Sequence, residues 1–509
     1  MLRNIRMIPR PVSVGRFFDV ENLQKIHFVS PAVQRREPFA LPPLHPEERG
    51  HMDSRILRGL DRLLDRYIMA CLFLSLIILT WVGVGNTAAV SAAGLLLCAA
   101  GMGQPAERAD MKFFLPLALY NLVSMVSAYA AYGNITDGYA STQMIFPVVY
   151  LLMAALSGEE AQLLRRLCVL WTGAAAAACA VQFVFQAVAE GSPRRAEGFL
   201  SNPNAMGIFL VLGWFALMRC GAPKKGGRWE ALSPCLEPLL LIALTLTLSM
   251  GSFLALAAGF FVLFAERWRT ASLAQALRYL CRLLAKAGLA VGTGVLLYLA
   301  AARTSVPWVC LMILAYALAL AARWRRMDEF LEACPGAAAA LTLPGVLAAA
   351  AVIAARPSAI ATFGERFAMM RNGLSYIGAA PLLGIGPYQW RLVNLADSDT
   401  YFNTWHIHNV LIHTAVELGW IAAAALILAA VRFYRKRPDA AGKAAFSAFL
   451  LHNMIDTSFF YMPVVSLLML TEARPREGGT ALRPGLVRAV LGVFAALFAW
   501  NLYGCLRAA

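Results

Sequence analysis

The chain has 509 residues, of which 60% are hydrophobic and 15% charged. That balance excludes a soluble globular protein. The net charge of +16, from 45 Lys and Arg against 29 Asp and Glu, reads as the basic cytoplasmic loops of a membrane protein. No nucleic acid is expected as a partner, because no basic stretch carries interleaved aromatic residues. The ten Cys are scattered without a CxxC pair and read as small core residues, neither disulfides nor metal ligands.

Residues 1–66 are polar, basic and rich in Pro, without the apolar centre of a signal peptide. They read as a cytoplasmic tail, partly disordered up to about residue 50. The stretch from 53 to 66 reads as an interfacial helix leading into the first span, and both Met1 and Met52 are possible starts. Apolar runs of ~20 residues, the length that crosses a bilayer as a helix, then recur up to residue 505. The expectation is an all-α polytopic membrane bundle of about 12–14 transmembrane helices. The spans are 67–84, 87–103, 112–132, 142–157, 167–189, 204–220, 236–250, 252–266, 284–302, 306–323, 337–355, 409–431, 444–470 and 487–505. Lys and Arg assign the connections holding Lys224 and Lys225, Arg267 to Lys286, Arg323 to Arg326, and Arg432 to Lys443 to the cytoplasm. Both termini then fall inside. The loops 133–141, 190–203 and 357–408 fall outside, as does 472–486 despite Arg474, Arg476 and Arg483. Membrane lipids surround the whole.

Four features meet on that outer side. The 190–203 loop carries Arg194, Arg195 and Glu197, followed by Asn202-Pro203-Asn204. Two guanidiniums on the non-positive side call for an anion such as phosphate, or for Glu197 and lipid headgroups. Pro203 sets a helix start that Asn202 or Ser201 caps. Ser249-Met250-Gly251-Ser252 interrupts a run too long for one span, with the Ser hydroxyls serving exposed backbone at the joint. In the large outer loop 357–408, residues 364–377 read as an interfacial helix. Its apolar stripe is Phe367, Met370, Leu374 and Ile377, with Arg366 and Arg371 off that stripe. These Arg lie at headgroups, or hold a lipid-linked phosphate. The stretch 381–387 is a turn.

Three of the seven His cluster at His406, His408 and His413. Here a partly desolvated imidazole could accept a proton from a sugar hydroxyl. With Glu417 they could instead be metal ligands, although no ligand-spacing signature is present. In the span 444–470, His452, Asn453 and Asp456 are polar groups that pair with one another or support the site.

Taken in order, these pieces resemble the O-antigen ligase and O-antigen polymerase superfamily of membrane glycosyltransferases. The resemblance rests on Arg195-x-x-Gly198 with Asn202-Pro203-Asn204, Thr247-Leu248-Ser249-Met250-Gly251, Arg366-x-x-x-Met370 leading to Pro381-Leu382-Leu383-Gly384-Ile385-Gly386, and His408-Asn409-x-Leu411 with Glu417-Leu418-Gly419. It implies transfer or polymerisation of an undecaprenyl-diphosphate-linked glycan onto a glycan or other hydroxyl acceptor, at the outer face of a bacterial cytoplasmic membrane. It implies neither metal nor nucleotide cofactor. Carried onto this chain, His408 is the base, Arg195 and Arg366 hold the diphosphate, and Asn204, Ser249, Glu417 and Asp456 support them. Met250 stands where the family carries a phosphate-contacting Arg. Either Arg194 or Arg371 takes over, or the donor is held differently, or activity is lost. The competing readings are a transporter or flippase and an inactive family member.

Overall fold

The computed structural model describes residues 66–81, 86–191, 194–220, 228–303, 307–354, 358–397, 402, 404–436, 439–472 and 479–508. The expected tail and interfacial helix up to residue 65, the Met52 start, and Lys224, Lys225, Arg474 and Arg476 lie outside them. Ile68–Leu502 form one compact unit, and the described part of a second unit after it is the end of the last helix.

The described residues are nearly all helical. The helices are α1 (Tyr67–Trp81), α2 (Thr87–Gly103), α3 (Met111–Tyr132), α4 (Ala140–Gln143), α5 (Ile145–Ala155), α6 (Gly158–Ala189), α7 (Pro203–Met218), α8 (Arg228–Leu246), α9 (Met250–Thr270), α10 (Leu273–Arg303), α11 (Pro307–Ala333) and α12 (Pro335–Ala354). They continue as α13 (Ala359–Tyr376), α14 (Gln389–Asp397), α15 (Val410–Glu417), α16 (Gly419–Arg435), α17 (Ala440–Ile455), α18 (Met462–Thr471) and α19 (Pro484–Ala508). Among the described residues six helices are long and apolar enough to cross a membrane, starting at Met111, Gly158, Met250, Leu273, Trp308 and Pro484, and seven shorter apolar helices accompany them.

Polar residues set the starts. Ser157 and Glu160 form a reciprocal capping box on α6. Asn202 accepts from the backbone of Asn204 and Ala205, with Pro203 in the first turn of α7. Asn409 caps α15 through the N–H groups of Leu411 and Ile412.

The expected span 444–470 is two helices that form a hairpin. Asp456 takes an extended backbone that stops α17, and Pro463 opens α18. The two feet of the hairpin stand together. Asp439, which caps α17, pairs with Arg219 at 2.8 Å, and Glu472, just beyond α18, pairs with the same guanidinium at 2.6 Å. Arg165 adds a 2.8 Å hydrogen bond to the Thr471 carbonyl.

This fold-back corrects the orientation of everything after it. Residues 480–482 join the end of the bundle that carries Arg432 and Arg219. The two-residue strands β1 (Arg108–Ala109) and β2 (Thr480–Ala481) pair antiparallel, and Arg432 grips Asp110 beside β1 at 2.7 and 3.0 Å. From there α19 runs to the opposite end. Arg488 donates to the Met102 carbonyl, and further along Asn501 donates to Ser91 and to the Ser141 carbonyl. Helix α1 also ends at that far end, with Trp81 against Phe199. The expected return of the last span, 487–505, toward the basic end is therefore corrected: α19 runs away from it, and the N-terminal tail lies outside the described residues. Arg483 joins the other basic residues, which removes the exception it made to the positive-inside pattern.

The expected span 409–431 also breaks, at Leu418–Gly419. Gly419 (φ 80°) and Gly384 (φ 71°) bring the 381–387 turn against the break, so closely that a Cβ on either would enter the other segment's backbone. Ile385 and Gly386 donate to the carbonyls of Val416 and Glu417, and Trp420 donates to that of Pro381. The turn is thus built into the bundle.

Of the expected α13 stripe, Phe367 and Leu374 are 62% and 53% exposed, as a lipid-facing stripe is, while Met370 is buried. The buried face carries Arg366, Met369 and Met370, with Arg366 only 6% exposed. Arg366 therefore turns into the bundle and not to the headgroups.

Candidate functional site

The site forms at the tip of the α17–α18 hairpin, where the starts of α7 and α15 and one face of α13 meet it. Asp456 sits at the tip with 7% of its side chain exposed. Arg366 reaches it from α13 with an Nη2–Oδ2 distance of 2.9 Å and donates from Nη1 to the Ile455 carbonyl at 2.5 Å. Its Nε–H is buried and has no hydrogen-bond partner among the described residues. On the other side the His408 Nδ1 stands 3.9 Å from Asp456 Oδ1, and it too has no hydrogen-bond partner among the described residues. Asn409, next to His408, donates to the Met454 carbonyl and so ties this segment to the hairpin. Burial pulls the His408 imidazole below its ordinary value. The Asp456 carboxylate pulls it back up and the Arg366 cation pushes it down. The result is a neutral imidazole at neutral pH, beside a paired carboxylate and guanidinium.

The 190–203 loop reaches the same hairpin through Asn202, whose amide donates to Tyr461 Oη at 2.8 Å. Arg195 donates from Nε to the Thr247 carbonyl at 2.8 Å and from Nη2 to Asn204 Oδ1 at 2.6 Å. Thr247 belongs to the break between α8 and α9, so Arg195 closes a backbone acceptor that the break leaves open. Ser249 caps α9, its Oγ lies 2.8 Å from that of Ser252, and Ser252 donates to the Asn204 carbonyl. Arg195, Asn204 and Ser249 are thus one connected unit. Met250 packs with Leu248 and Val291 in an apolar cluster and puts no cation here. Arg194 is 71% exposed and pairs with Glu190, the residue four before it, in place of the expected Glu197.

Two expected members lie elsewhere. Arg371 is exposed, five residues along α13 from Arg366 and hence on a different face, with no hydrogen bond or ion pair given to it by any described residue. Glu417 is fully buried in a second polar cluster. The Ile407 N–H donates to His413 Nδ1, which leaves the proton on Nε2. That proton faces Tyr139 Oη at 2.6 Å, and the Tyr139 hydroxyl donates to Glu417 Oε2 at 2.5 Å. The N–H groups of Tyr388 and Trp390 complete the carboxylate at 2.8 and 3.0 Å. Trp390 also donates to Asn372 on α13. Glu417 and His413 therefore hold the loop carrying His408 and brace the helix carrying Arg366. His406 is buried against Phe460, ring centres 4.4 Å apart, and burial pushes its imidazole down to about 3.

His452 pairs with Ser458 (3.0 Å) rather than with Asp456, and its buried Nε2 faces Gly251 with no hydrogen-bond partner among the described residues. Among the described residues no three His, Cys, Asp or Glu are grouped as a metal site. Tyr139, Tyr388 and Tyr461 escape sequence reasoning, because a lone Tyr in a short loop carries no pattern.

An apolar cavity of about 680 Å³ adjoins the site. Val410, Leu411, Asn453, Met454 and Phe459 line its end beside His408 and Asp456, and Arg435 lines it toward the basic end. No protein-family model matches the chain, and no curated protein matches it.

Proposed function

We propose that the protein is a membrane glycosyltransferase of the O-antigen ligase and polymerase type, working at the outer face of a bacterial cytoplasmic membrane. The Arg366–Asp456–His408 constellation carries this reading: a buried cation, a carboxylate able to serve either neighbour, and a neutral imidazole that is 19% exposed. The donor is a glycan on undecaprenyl diphosphate. Arg366 engages the diphosphate and stabilises the charge that grows on it as it leaves. Asp456, released from Arg366, turns to the His408 Nδ1–H and orients the ring. His408 Nε2 then takes the proton of the acceptor hydroxyl. The acceptor oxygen bonds to the anomeric carbon, and the carbon–oxygen bond to phosphate breaks with its electron pair leaving on the diphosphate. The neighbouring apolar cavity suits the hydrocarbon part of such a donor.

Replacing His408 with Ala should abolish transfer from an undecaprenyl-diphosphate glycan to acceptor while leaving the amount of folded protein unchanged. Transfer at the wild-type rate would remove His408 from the mechanism and the reading with it.

One observation favours a second reading. The α8–α9 break and the α17–α18 hairpin are interrupted helices of the kind that build transporter sites, with helix starts facing an anionic substrate. A transporter or flippase would move the lipid-linked glycan across vesicle membranes with no transfer, and His408→Ala would leave that movement intact. Movement without transfer in the wild-type protein decides for this alternative, and neither movement nor transfer decides for an inactive family member.

A further inference from the structure

We propose that Trp405 and Arg391 form a stacking subsite for a pyranose ring of the acceptor glycan, next to His408. The inference rests on the glycosyl-transfer reading and adds where and how the acceptor is gripped. Trp405 is 40% exposed, three residues before His408. The Arg391 guanidinium lies over its ring at 4.1 Å, and Tyr388 meets it nearly edge-on with ring centres 6.2 Å apart. One face of the indole is thus covered by a cation and its orientation is fixed by a second ring. An exposed aromatic held this way is a prepared surface: it loses little side-chain freedom when a ligand stacks on it. A pyranose presents a face of C–H bonds whose weakly positive hydrogens match the negative face of the indole.

The supports are built in. Tyr388 adopts φ 59°, a strained conformation for a bulky residue, and the Glu417 carboxylate holds its N–H while Tyr139 packs on its ring at 4.6 Å. Strain of that kind persists only where the surroundings impose it, and here it sets the ring that fixes Trp405. Between Trp405 and His408, Ile407 is fully buried with Met369, Met370 and Trp390, and its N–H is tied to His413. The stacking surface and the base therefore share one pinned stretch of backbone.

The chief rival is a Trp that anchors the loop in lipid headgroups. Fluorine NMR of protein carrying fluorotryptophan in lipid nanodiscs separates the two, with the Trp405 resonance assigned by its loss in Trp405→Phe. The probes are chitohexaose, maltohexaose and headgroup-spin-labelled phosphatidylcholine. The expected result is a shift of the Trp405 resonance with at least one hexasaccharide, weaker in Arg391→Gln and kept in His408→Ala. Broadening by the spin-labelled lipid with no sugar shift, or no response at all, overturns the subsite. In transfer assays Trp405→Ala should raise the acceptor KM about tenfold with kcat little changed, and Trp405→Tyr should restore most of the loss. An unchanged KM in Trp405→Ala also overturns it. A sugar shift in a protein that transfers no glycan would instead sink the transferase reading and leave the subsite standing.

Discussion

Arg366 and Asp456 stand 2.9 Å apart with less than a tenth of either side chain exposed. Arg366 comes from α13 and Asp456 from the hairpin tip about ninety residues further along the chain, and each is the other's charge partner inside an apolar bundle. Removing one partner strands the other, which costs about 3–5 kcal/mol for buried pairs. Asp456→Ala and Arg366→Ala should each lower the midpoint of thermal unfolding in detergent by several degrees, and the double variant should lose less than the two single losses added together. Strict additivity would show that the pair is not coupled.

The acid limb of the pH–rate profile reports on His408. Its folded pKa is depressed, so the neutral base persists below the usual imidazole value and is lost as pH falls through the lowered one. The unfolded chain takes up the proton earlier, so stability begins to fall once pH drops below about 6.5. The Asp456 carboxylate raises this imidazole, so Asp456→Asn should move the limb to still lower pH. A shift toward higher pH would contradict the assigned partnership.

Glu417 acts at a distance from the proposed chemistry. Glu417→Ala leaves the amides of Tyr388 and Trp390 and the Tyr139 hydroxyl without their acceptor, at about 1–3 kcal/mol for each group left buried and unpaired. Hydrogen exchange at the Tyr388 and Trp390 amides should accelerate by at least about tenfold, and Glu417→Gln should show a smaller change. Unaltered exchange in Glu417→Ala would argue against the clamp.

The hairpin predicts a topology. In a background without accessible cysteines, a Cys at position 483 and a Cys at position 395 should react with an impermeant thiol reagent from opposite sides of the membrane. Labelling from one side would restore a single span between 444 and 470.

The bundle itself was legible in the sequence, because long apolar runs have few fates other than membrane helices. The cap at Asn202 and the backbone-serving Ser hydroxyls at the 249–252 joint were legible too, since Asn and Ser before an apolar run have a local function; the cap at Asn409 was not read. The hairpin was missed although Asp456, Thr457, Ser458 and Pro463 stand in the middle of the run. Polar groups inside an apolar run read as pairs within the bundle, and the same groups serve a chain reversal. The Arg366–Asp456 pair and the Tyr139–His413–Glu417 chain were out of reach for another reason. Their members are brought together by tertiary packing, and no spacing in the chain encodes it.

Arg219 binds both feet of the α17–α18 hairpin while Asp456 occupies its tip. The hairpin is therefore pinned at both ends, at its base by Arg219 and at its tip by Arg366, Asn409 and Asn202. A ligand that draws Arg366 away from Asp456 removes one of the three ties at the tip, beside His408, and none at the base.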